Sequence, residues 1–306
     1  MKSRYPYLFA GLAFLGLAFC NAVGAPLRVL FFSKSSGWEH SAIKEDNFKP
    51  SYAQTVLTKL GEKNGIEFTF TKDGSLFSDS YLAQFNVVVF YTSGDLCSTG
   101  TDRYPGITSS GLAAFYHYVS NGGGFLGLHS ASDTLHTNER GGGNPAIRAP
   151  RYKNYGEAAD PYVKMIGGEF IRHGPQQVAK ATVTDPKFPG FGTIGSELNV
   201  NEEWYTLKEF APDIHVLLVM QTAGMKGDDY KRAPYPLAWV HAYGKGRVAF
   251  NAMGHREDVW DSEAYQSMLL GQLKWAAGEA TADIAPNLKE VAPEAMTIQP
   301  VPADVR

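Results

Sequence analysis

One stretch decides the fold: Gly122-Gly123-Gly124-Phe125-Leu126-Gly127-Leu128-His129-Ser130-Ala131-Ser132. The three consecutive glycines predict the end of a helix, because glycine adopts at little cost the left-handed backbone that closes helices. Residues 125–128 are apolar on both faces, as is typical of a central strand in a parallel sheet. His129 then stands on the turn that leaves the strand.

That position makes His129 a candidate functional residue. Open α/β sheets bind ligands outside the carboxyl ends of their strands. In enzymes with a nucleophile elbow this turn carries Ser or Cys. An imidazole more often ligates a metal or transfers a proton. The alternative is a hydrogen-bonded histidine that only shapes the turn.

The segments around this stretch alternate between strand and helix patterns, which predicts a parallel sheet wrapped by helices. In the first half we expect strands at 28–33, 66–71, 87–91 and 125–128 and helices at 51–63, 80–85 and 110–120. In the second half we expect a helix at 161–166, strands at 178–184, 203–207 and 216–220, a hairpin of 237–243 and 247–251, and a helix at 263–277 capped by Ser262. The predicted fold class is α/β, a flavodoxin-like doubly wound, mostly parallel sheet with a C-terminal β-hairpin and helix.

Residues 1–25 have the layout of a secretory signal peptide. Lys2 and Arg4 precede an uncharged run at 8–19, and small residues follow up to Ala25. The run is too short to cross a membrane comfortably. We therefore expect an exported, periplasmic or secreted domain at 26–279 without a membrane span, and an Ala/Pro-rich tail at 280–306 that does not pack.

Composition narrows the classes of partner. Cys20 would leave with the signal peptide, so no internal disulfide can form, and Cys97 is interpreted as an inert thiol. The net charge is −3 and no basic cluster stands out, which argues against a nucleic-acid partner. The 16 Tyr and 5 Trp are compatible with sugar binding, and equally with an aromatic core.

Four histidines each follow a predicted strand or helix: His40, His129, His173 and His255. The carboxyl ends of parallel strands share one edge of a sheet, so His40 should approach His129. Each of the four also has a structural interpretation when taken alone. His117, within a predicted helix, and His241, within a predicted strand, are interpreted as structural.

A carboxylate joins this set at Glu203. If Trp204 faces the core of an alternating strand, Glu203 shares a face with Tyr205 and points to a cleft or to solvent. Glu203 is therefore a candidate acid/base or metal ligand, and a solvated strand carboxylate is the alternative.

Two chemistries fit these residues. His and Glu can abstract a proton beside a keto group or protonate a glycosidic oxygen. Several His with a carboxylate also suit zinc or another divalent metal. The spacing is not that of a local metal motif, so metal ligation by His40, His129, His173 and His255 depends on tertiary convergence, and the cofactor stays open. The paired carboxylates of an ordinary glycosidase are not evident.

The segment 133–160 is long and rich in glycine and polar residues, which is typical of a functional lid or a disordered loop. The glycines at 141–143 would allow such a lid to close. An ordered surface loop without a ligand is the alternative. The candidate substrate-binding residues are Trp38, Asp133, His136, Tyr155, Trp204 and Tyr205.

Several short motifs lie along the chain in a characteristic order and spacing. They are Gly37-Trp38-Glu39-His40, the stretch at 122–131, Ile166-Gly167-Gly168-Glu169-Phe170 with His173, Asn201-Glu202-Glu203-Trp204-Tyr205, Pro236-Leu237-Ala238-Trp239-Val240, Tyr243-Gly244-Lys245-Gly246-Arg247-Val248, and Gly254-His255. Together they resemble the ThuA-like family of trehalose utilisation proteins, whose fold is class I glutamine-amidotransferase-like. The resemblance implies a role in the catabolism of sugars, particularly disaccharides, often beside oxidoreductases that make 3-keto sugars. The amidotransferase cysteine is absent at the elbow, so glutaminase activity is not expected.

The sequence therefore predicts an exported carbohydrate-processing protein that acts on a disaccharide or glycoside, or its 3-keto derivative, as a hydrolase, lyase or isomerase. The catalytic candidates are His129, Glu203, His40, His173 and His255. The alternatives are a non-catalytic sugar-binding module and, less supported, an interaction protein that uses its tail as a spacer. A small-molecule carbohydrate is the expected partner, and the oligomeric state stays open.

Overall fold

The computed structural model describes residues 25–46, 49–137 and 149–302. Within these ranges the strands are β1 Leu27–Phe32, β2 Ile66–Thr71, β3 Val87–Phe90, β4 Gly124–Leu128, β5 Glu169–His173, β6 Gln177–Val183, β7 Glu197–Glu202, β8 Tyr205–Lys208, β9 His215–Gln221, β10 Tyr235–Tyr243 and β11 Gly246–Asn251. The α-helices are α1 Tyr52–Asn64, α2 Asp79–Leu82, α3 Ser109–Ser120, α4 Pro161–Ile166, α5 Glu257–Asp261, α6 Glu263–Ala276 and α7 Leu288–Val291.

Nine of the strands form one sheet in the order β2-β1-β3-β4-β11-β10-β9-β6-β7. Pairing is parallel from β2 across to β11 and antiparallel from β11 across to β7. Strands β5 and β8 form a separate antiparallel pair. The predicted α/β fold around a large sheet is confirmed. Its antiparallel part is wider than the single hairpin expected from the sequence.

Strand β4 lies in the interior of the sheet, between β3 and β11, and all five of its residues are buried. Its two glycines allow helices to approach closely. A Cβ on Gly124 would lie 2.6 Å from the carbonyl oxygen of Ala276 in α6, and one on Gly127 would lie 2.8 Å from Ile166 in α4. Positions three apart on a strand face opposite sides. Helices therefore cover β4 on both faces, which explains its uninterrupted apolar sequence.

The predicted ends of helices and strands agree most closely with the structure where a capping residue or a glycine defines the end. Helix α1 begins with a capping box formed by Ser51 and Gln54 and ends at Gly65, whose φ is +68°. The strand predicted at 203–207 is wrong in its bounds, because β7 ends at Glu202 and β8 starts only at Tyr205. Ser262 is at the N-cap of α6, but its side chain makes no capping hydrogen bond.

The expectation that the C-terminal tail does not pack is wrong. The backbone N–H of Val216 donates to Asn287 Oδ1 at 2.7 Å, which ties the tail to β9. Leu288 and Ala292 are buried one helical turn apart, and Ala295 is also buried. The tail thus packs through Leu288, Ala292 and Ala295, although Met296 remains 46% exposed.

Some predictions concern residues outside the described ranges. Most of the predicted signal peptide and the glycines at 141–143 are among them. Within the ranges that are described, no helix combines the length and the apolar character needed to cross a bilayer.

Candidate active site

Four histidines and one glutamate meet at the carboxyl edge of the parallel strands. His40, His129 and His255 follow β1, β4 and β11, and their ring centroids are 4.9 to 5.3 Å apart. His173 is the last residue of β5, and Glu203 lies between β7 and β8. The approach of His40 to His129 that was predicted from strand topology is therefore confirmed.

His129 is held in a strained and fully defined position. Its φ is +43°, a left-handed conformation that is uncommon for residues other than glycine, and its side chain is fully buried. Because a carbonyl oxygen can only accept, His129 Nδ1 donates to Ala252 O at 2.9 Å. The Nε2 atom then carries the lone pair in the neutral ring. It lies 3.3 Å from His255 Nδ1 and 3.7 Å from Glu203 Oε2.

Glu203 contacts three of the imidazoles. Its Oε2 is 3.0 Å from His255 Nδ1, and its Oε1 is 3.4 Å from His173 Nδ1. Burial alone would raise the pKa of Glu203, but the neighbouring imidazoles of His129 and His255 hold that pKa far below its usual range. Conversely, burial alone would lower the pKa of His255, and its hydrogen bond to Glu203 raises that pKa above the ordinary value. Glu203 is therefore an anion beside a ring that readily carries a proton.

His40 is a neutral imidazole packed beside these charges. Burial, followed by the nearby rings of His129 and His255, lowers the pKa of His40 well below its ordinary value. Its Nε2 is 3.3 Å from the hydroxyl of Tyr205, whose ring also packs 4.2 Å from that of His129. The other ring nitrogen, His40 Nδ1, is buried and has no hydrogen-bond partner among the described residues.

Glu202 positions two of these side chains. It is fully buried, and its carboxylate accepts hydrogen bonds from the backbone of Glu203 at 2.7 Å, Gly254 at 3.0 Å and His255 at 3.2 Å. Burial raises the pKa of Glu202. Sequence reasoning did not assign it a role, although it directly precedes Glu203. Its role depends on contacts with a loop some fifty residues away.

Gln176 is a second residue that the sequence did not indicate. Its Nε2 lies 2.9 Å from His255 Nε2, and its Oε1 accepts from Arg256 at 2.8 Å. A glutamine after the turn at Gly174-Pro175 has no distinctive sequence signal. Only the folded chain shows that it fixes the outer side of the His255 ring.

A second charged network, formed by Asp133, His136, Glu169 and Lys208, lies next to the histidine cluster. His136 is bound between Asp133 at 2.6 Å and Glu169 at 2.9 Å, and Lys208 Nζ is 3.0 Å from Glu169. Burial alone would raise the pKa of Glu169, but His136 and Lys208 lower it to about 2. Burial and Arg151 alone would lower the pKa of His136, but its two carboxylate partners raise it.

The prediction that His136 contacts substrate is wrong, and Asp133 is part of the same network. His136 is buried and both of its ring nitrogens are bound to carboxylates, so it is not available to a sugar hydroxyl. Asp133 keeps about a fifth of its side chain exposed, but its Oδ1 also accepts from Arg151 at 3.2 Å. Phe170 lies between the two clusters. Its ring centroid is 4.1 Å from that of Tyr205, beside His129, and 6.4 Å from that of His136.

The aromatic candidates divide into exposed and buried residues. Trp38 is 73% exposed on the loop that carries His40, which suits a ligand-facing platform. Trp204 as a substrate contact is wrong, because it is fully buried and its indole N–H donates to Gln177 O at 2.9 Å. Tyr205 forms the buried floor under His129. Tyr155 lies beside the second network, with Lys208 Nζ 4.9 Å from its ring centroid.

The histidines interpreted as structural lie elsewhere. The imidazole of His117 is on the surface of α3, 3.2 Å from Asp79, and that of His241 is buried, with Nε2 donating to Met165 O at 2.9 Å. Neither belongs to the cluster. Cys97 is exposed.

Comparisons with known proteins agree with this architecture. The family model described as ThuA, trehalose utilisation, matches residues 28–276. A search of curated proteins gave no significant match.

Solved structures give the same fold at low identity. A ThuA-like protein from Bacteroides uniformis is 20% identical with a TM-score of 0.59, and the match covers 89% of this chain and 95% of that one. A ThuA-like protein from Parabacteroides merdae is 16% identical with a TM-score of 0.53, covering 90% and 97%. A cytoplasmic protein from Salmonella typhimurium is 17% identical with a TM-score of 0.54, covering 82% and 99%. On the extent of the family match, this chain belongs to the ThuA trehalose-utilisation family.

Proposed function

We propose that this protein is a carbohydrate-processing enzyme whose reaction centre is the cluster of His40, His129, His173, Glu203 and His255. The observation that carries the proposal is the position of Glu203, an anion in contact with three imidazoles at the carboxyl edge of the sheet. Family membership supplies the class of substrate, which we take to be a disaccharide or glycoside, or its 3-keto derivative.

The chemistry follows from the protonation states of the cluster. Glu203 is ionised and can accept a proton, and His255 at 3.0 Å can hold one and return it. A base and an acid in contact can remove a proton beside a keto group and deliver one to a departing glycosidic oxygen. The side chain of His173 is 42% exposed and contacts Glu203, so it offers a path for protons to solvent. Hydrolase, lyase and isomerase reactions all fit. Glutaminase chemistry is not proposed, because a histidine occupies the elbow.

The test is turnover of defined sugars. Purified protein is incubated with trehalose and 3-keto-trehalose while released monosaccharide and isomerised product are followed by chromatography. We expect conversion by the native chain and by the His117→Ala control, whose ring is exposed outside the cluster. His129→Ala should lose conversion. Full turnover by His129→Ala would remove the proposed centre.

A sugar-binding module without catalysis is the second candidate, favoured by one observation. Trp38 presents 73% of its surface to solvent near His40, and such a ring can hold a sugar without any reaction. Calorimetry with the same sugars separates the two functions. Heat of binding without product would favour the module.

Two further proposals concern location and fold group. The basic residues and apolar run at the N-terminus support export to the periplasm or beyond. Mass spectrometry of the mature N-terminus tests this, and an intact Met1 on the protein isolated from its source would contradict it. The strand order β2-β1-β3-β4-β11 supports assignment to the flavodoxin-like, class I glutamine-amidotransferase-like group.

A further inference from the structure

The cluster also has the composition and spacing of a metal centre. We infer that His40, His129, Glu203 and His255 bind one divalent transition-metal ion, and that zinc fits the site best. One ligand atom from each residue lies within 4.8 Å of the other three. This inference does not depend on the proposed function, because an ion can be bound whether or not a sugar is converted. With an ion bound, Glu203 Oε2 and His255 Nδ1 would be its ligands and would not pass a proton between them.

The distances support a tetrahedral centre. His129 Nε2, His255 Nδ1 and Glu203 Oε2 form a triangle with edges of 3.3, 3.0 and 3.7 Å. Ligands about 2.0–2.1 Å from a tetrahedral zinc ion are separated by roughly 3.4 Å. The three atoms therefore already stand near the corners of one face of the tetrahedron.

The donor types select the class of ion. Three imidazoles with one carboxylate suit zinc and its first-row neighbours, whereas calcium and magnesium are bound by oxygen ligands. His129 has the outer contact typical of a metal ligand, because its Nδ1–H donates to Ala252 O and leaves Nε2 as the donor atom. His40 adds a buried ring nitrogen, Nδ1, that finds no hydrogen-bond partner among the described residues.

Gln176 would act as the positioning residue for His255. In the present arrangement Gln176 Oε1 accepts from Arg256, so its amide N–H₂ faces His255 Nε2 at 2.9 Å, and the proton of that ring faces Glu203. Coordination through Nδ1 requires the proton on Nε2. A half-turn of the amide then presents Oε1 to that proton, which fixes the ring in the ligating tautomer.

The experiment measures metal binding without any sugar. The full chain is stripped with chelator, and zinc binding is followed by isothermal calorimetry, with cobalt substitution to record the visible spectrum of a tetrahedral site. We expect one ion per chain. Glu203→Gln and His129→Ala should each weaken binding about 100-fold or more, and Gln176→Ala roughly tenfold. His117→Ala, outside the cluster, should bind as the native chain does.

Folding of each variant is checked by circular dichroism, and the nearly isosteric Glu203→Gln change serves if His129→Ala does not fold. A lack of zinc binding by the stripped native chain would overturn the inference. So would unchanged affinity in folded Glu203→Gln, since the ion would then be bound elsewhere. Zinc binding without sugar conversion would support the site while refuting the proposed enzyme.

Discussion

Replacing Glu169 by glutamine tests the energetics of the buried network behind the cluster. The Glu169 side chain is 1% exposed, and so is its partner Lys208, with Nζ 3.0 Å from Oε2. It also accepts hydrogen bonds from His136 and from the backbone N–H of Thr137, both at 2.9 Å. The substitution keeps the size and shape of the side chain and removes its charge.

The expected loss of unfolding free energy follows from the buried charge that the substitution leaves without its partner. Removing one partner of a buried ion pair costs about 3–5 kcal/mol, because the remaining charge is buried without compensation. Lys208 would be that charge. Its other hydrogen bond, to Lys153 O at 2.7 Å, offers a dipole but no negative charge. With a slope near 3 kcal/mol per molar urea, we expect the unfolding midpoint to fall by about 1 M or more.

The assay is equilibrium unfolding in urea followed by circular dichroism. Glu197→Gln is the matched control, since Glu197 pairs with Lys180 at 3.0 Å while about half of each side chain is exposed. Pairs of that kind contribute little to stability, so the control should unfold with the native chain. Equal midpoints for Glu169→Gln and the native protein would refute the argument from buried charge.

Three further predictions use the same preparations. Because the pKa of Glu169 is lowered to about 2 from 4.5, its stabilisation is complete above about pH 4.5 and is lost as the pH falls toward 2, so the difference in unfolding free energy between native and Glu169→Gln should narrow in acid. Gly124→Ala should destabilise the fold by about 1–3 kcal/mol in urea unfolding, since the new Cβ would stand 2.6 Å from a backbone oxygen of α6; an unchanged midpoint would contradict the close packing. Trp38→Ala should weaken sugar binding roughly tenfold in calorimetry while leaving the unfolding midpoint unchanged, because the ring is mostly exposed; undiminished affinity would remove Trp38 from the site.

The parallel half of the fold could be predicted because its signals are local. Strand β4 is apolar throughout and is preceded by glycines, and β2 was predicted with the bounds observed. Strand β7 was missed because its sequence, ELNVNE, is polar and because it is the edge strand of a sheet assembled from distant segments. Strand β5 was missed for a related reason. Among the described strands it pairs with β8 alone, through contacts that no local pattern specifies.

The histidines of the site could be predicted because they stand at strand ends, and strand ends share an edge. Their supporting residues could not. Glu202 accepts a hydrogen bond from the backbone of Gly254, and Gln176 contacts the ring of His255. Lys208 forms an ion pair with Glu169. The two residues of each pair are far apart in the chain. Trp204 was misassigned because an aromatic residue next to a carboxylate looks the same in sequence whether it faces the core or a ligand.

The arrangement of the cluster lowers the stability of the fold, which indicates that it is kept for a function. Burying polar groups and holding a residue with φ at +43° both oppose folding, and His129 does both. A glycine would meet the backbone requirement without strain, and an apolar side chain would fill the space without desolvating an imidazole. Glu202 is itself buried in order to hold His255 against Glu203. A chain selected for stability alone would not keep these groups together, so we attribute the cluster to function rather than to folding.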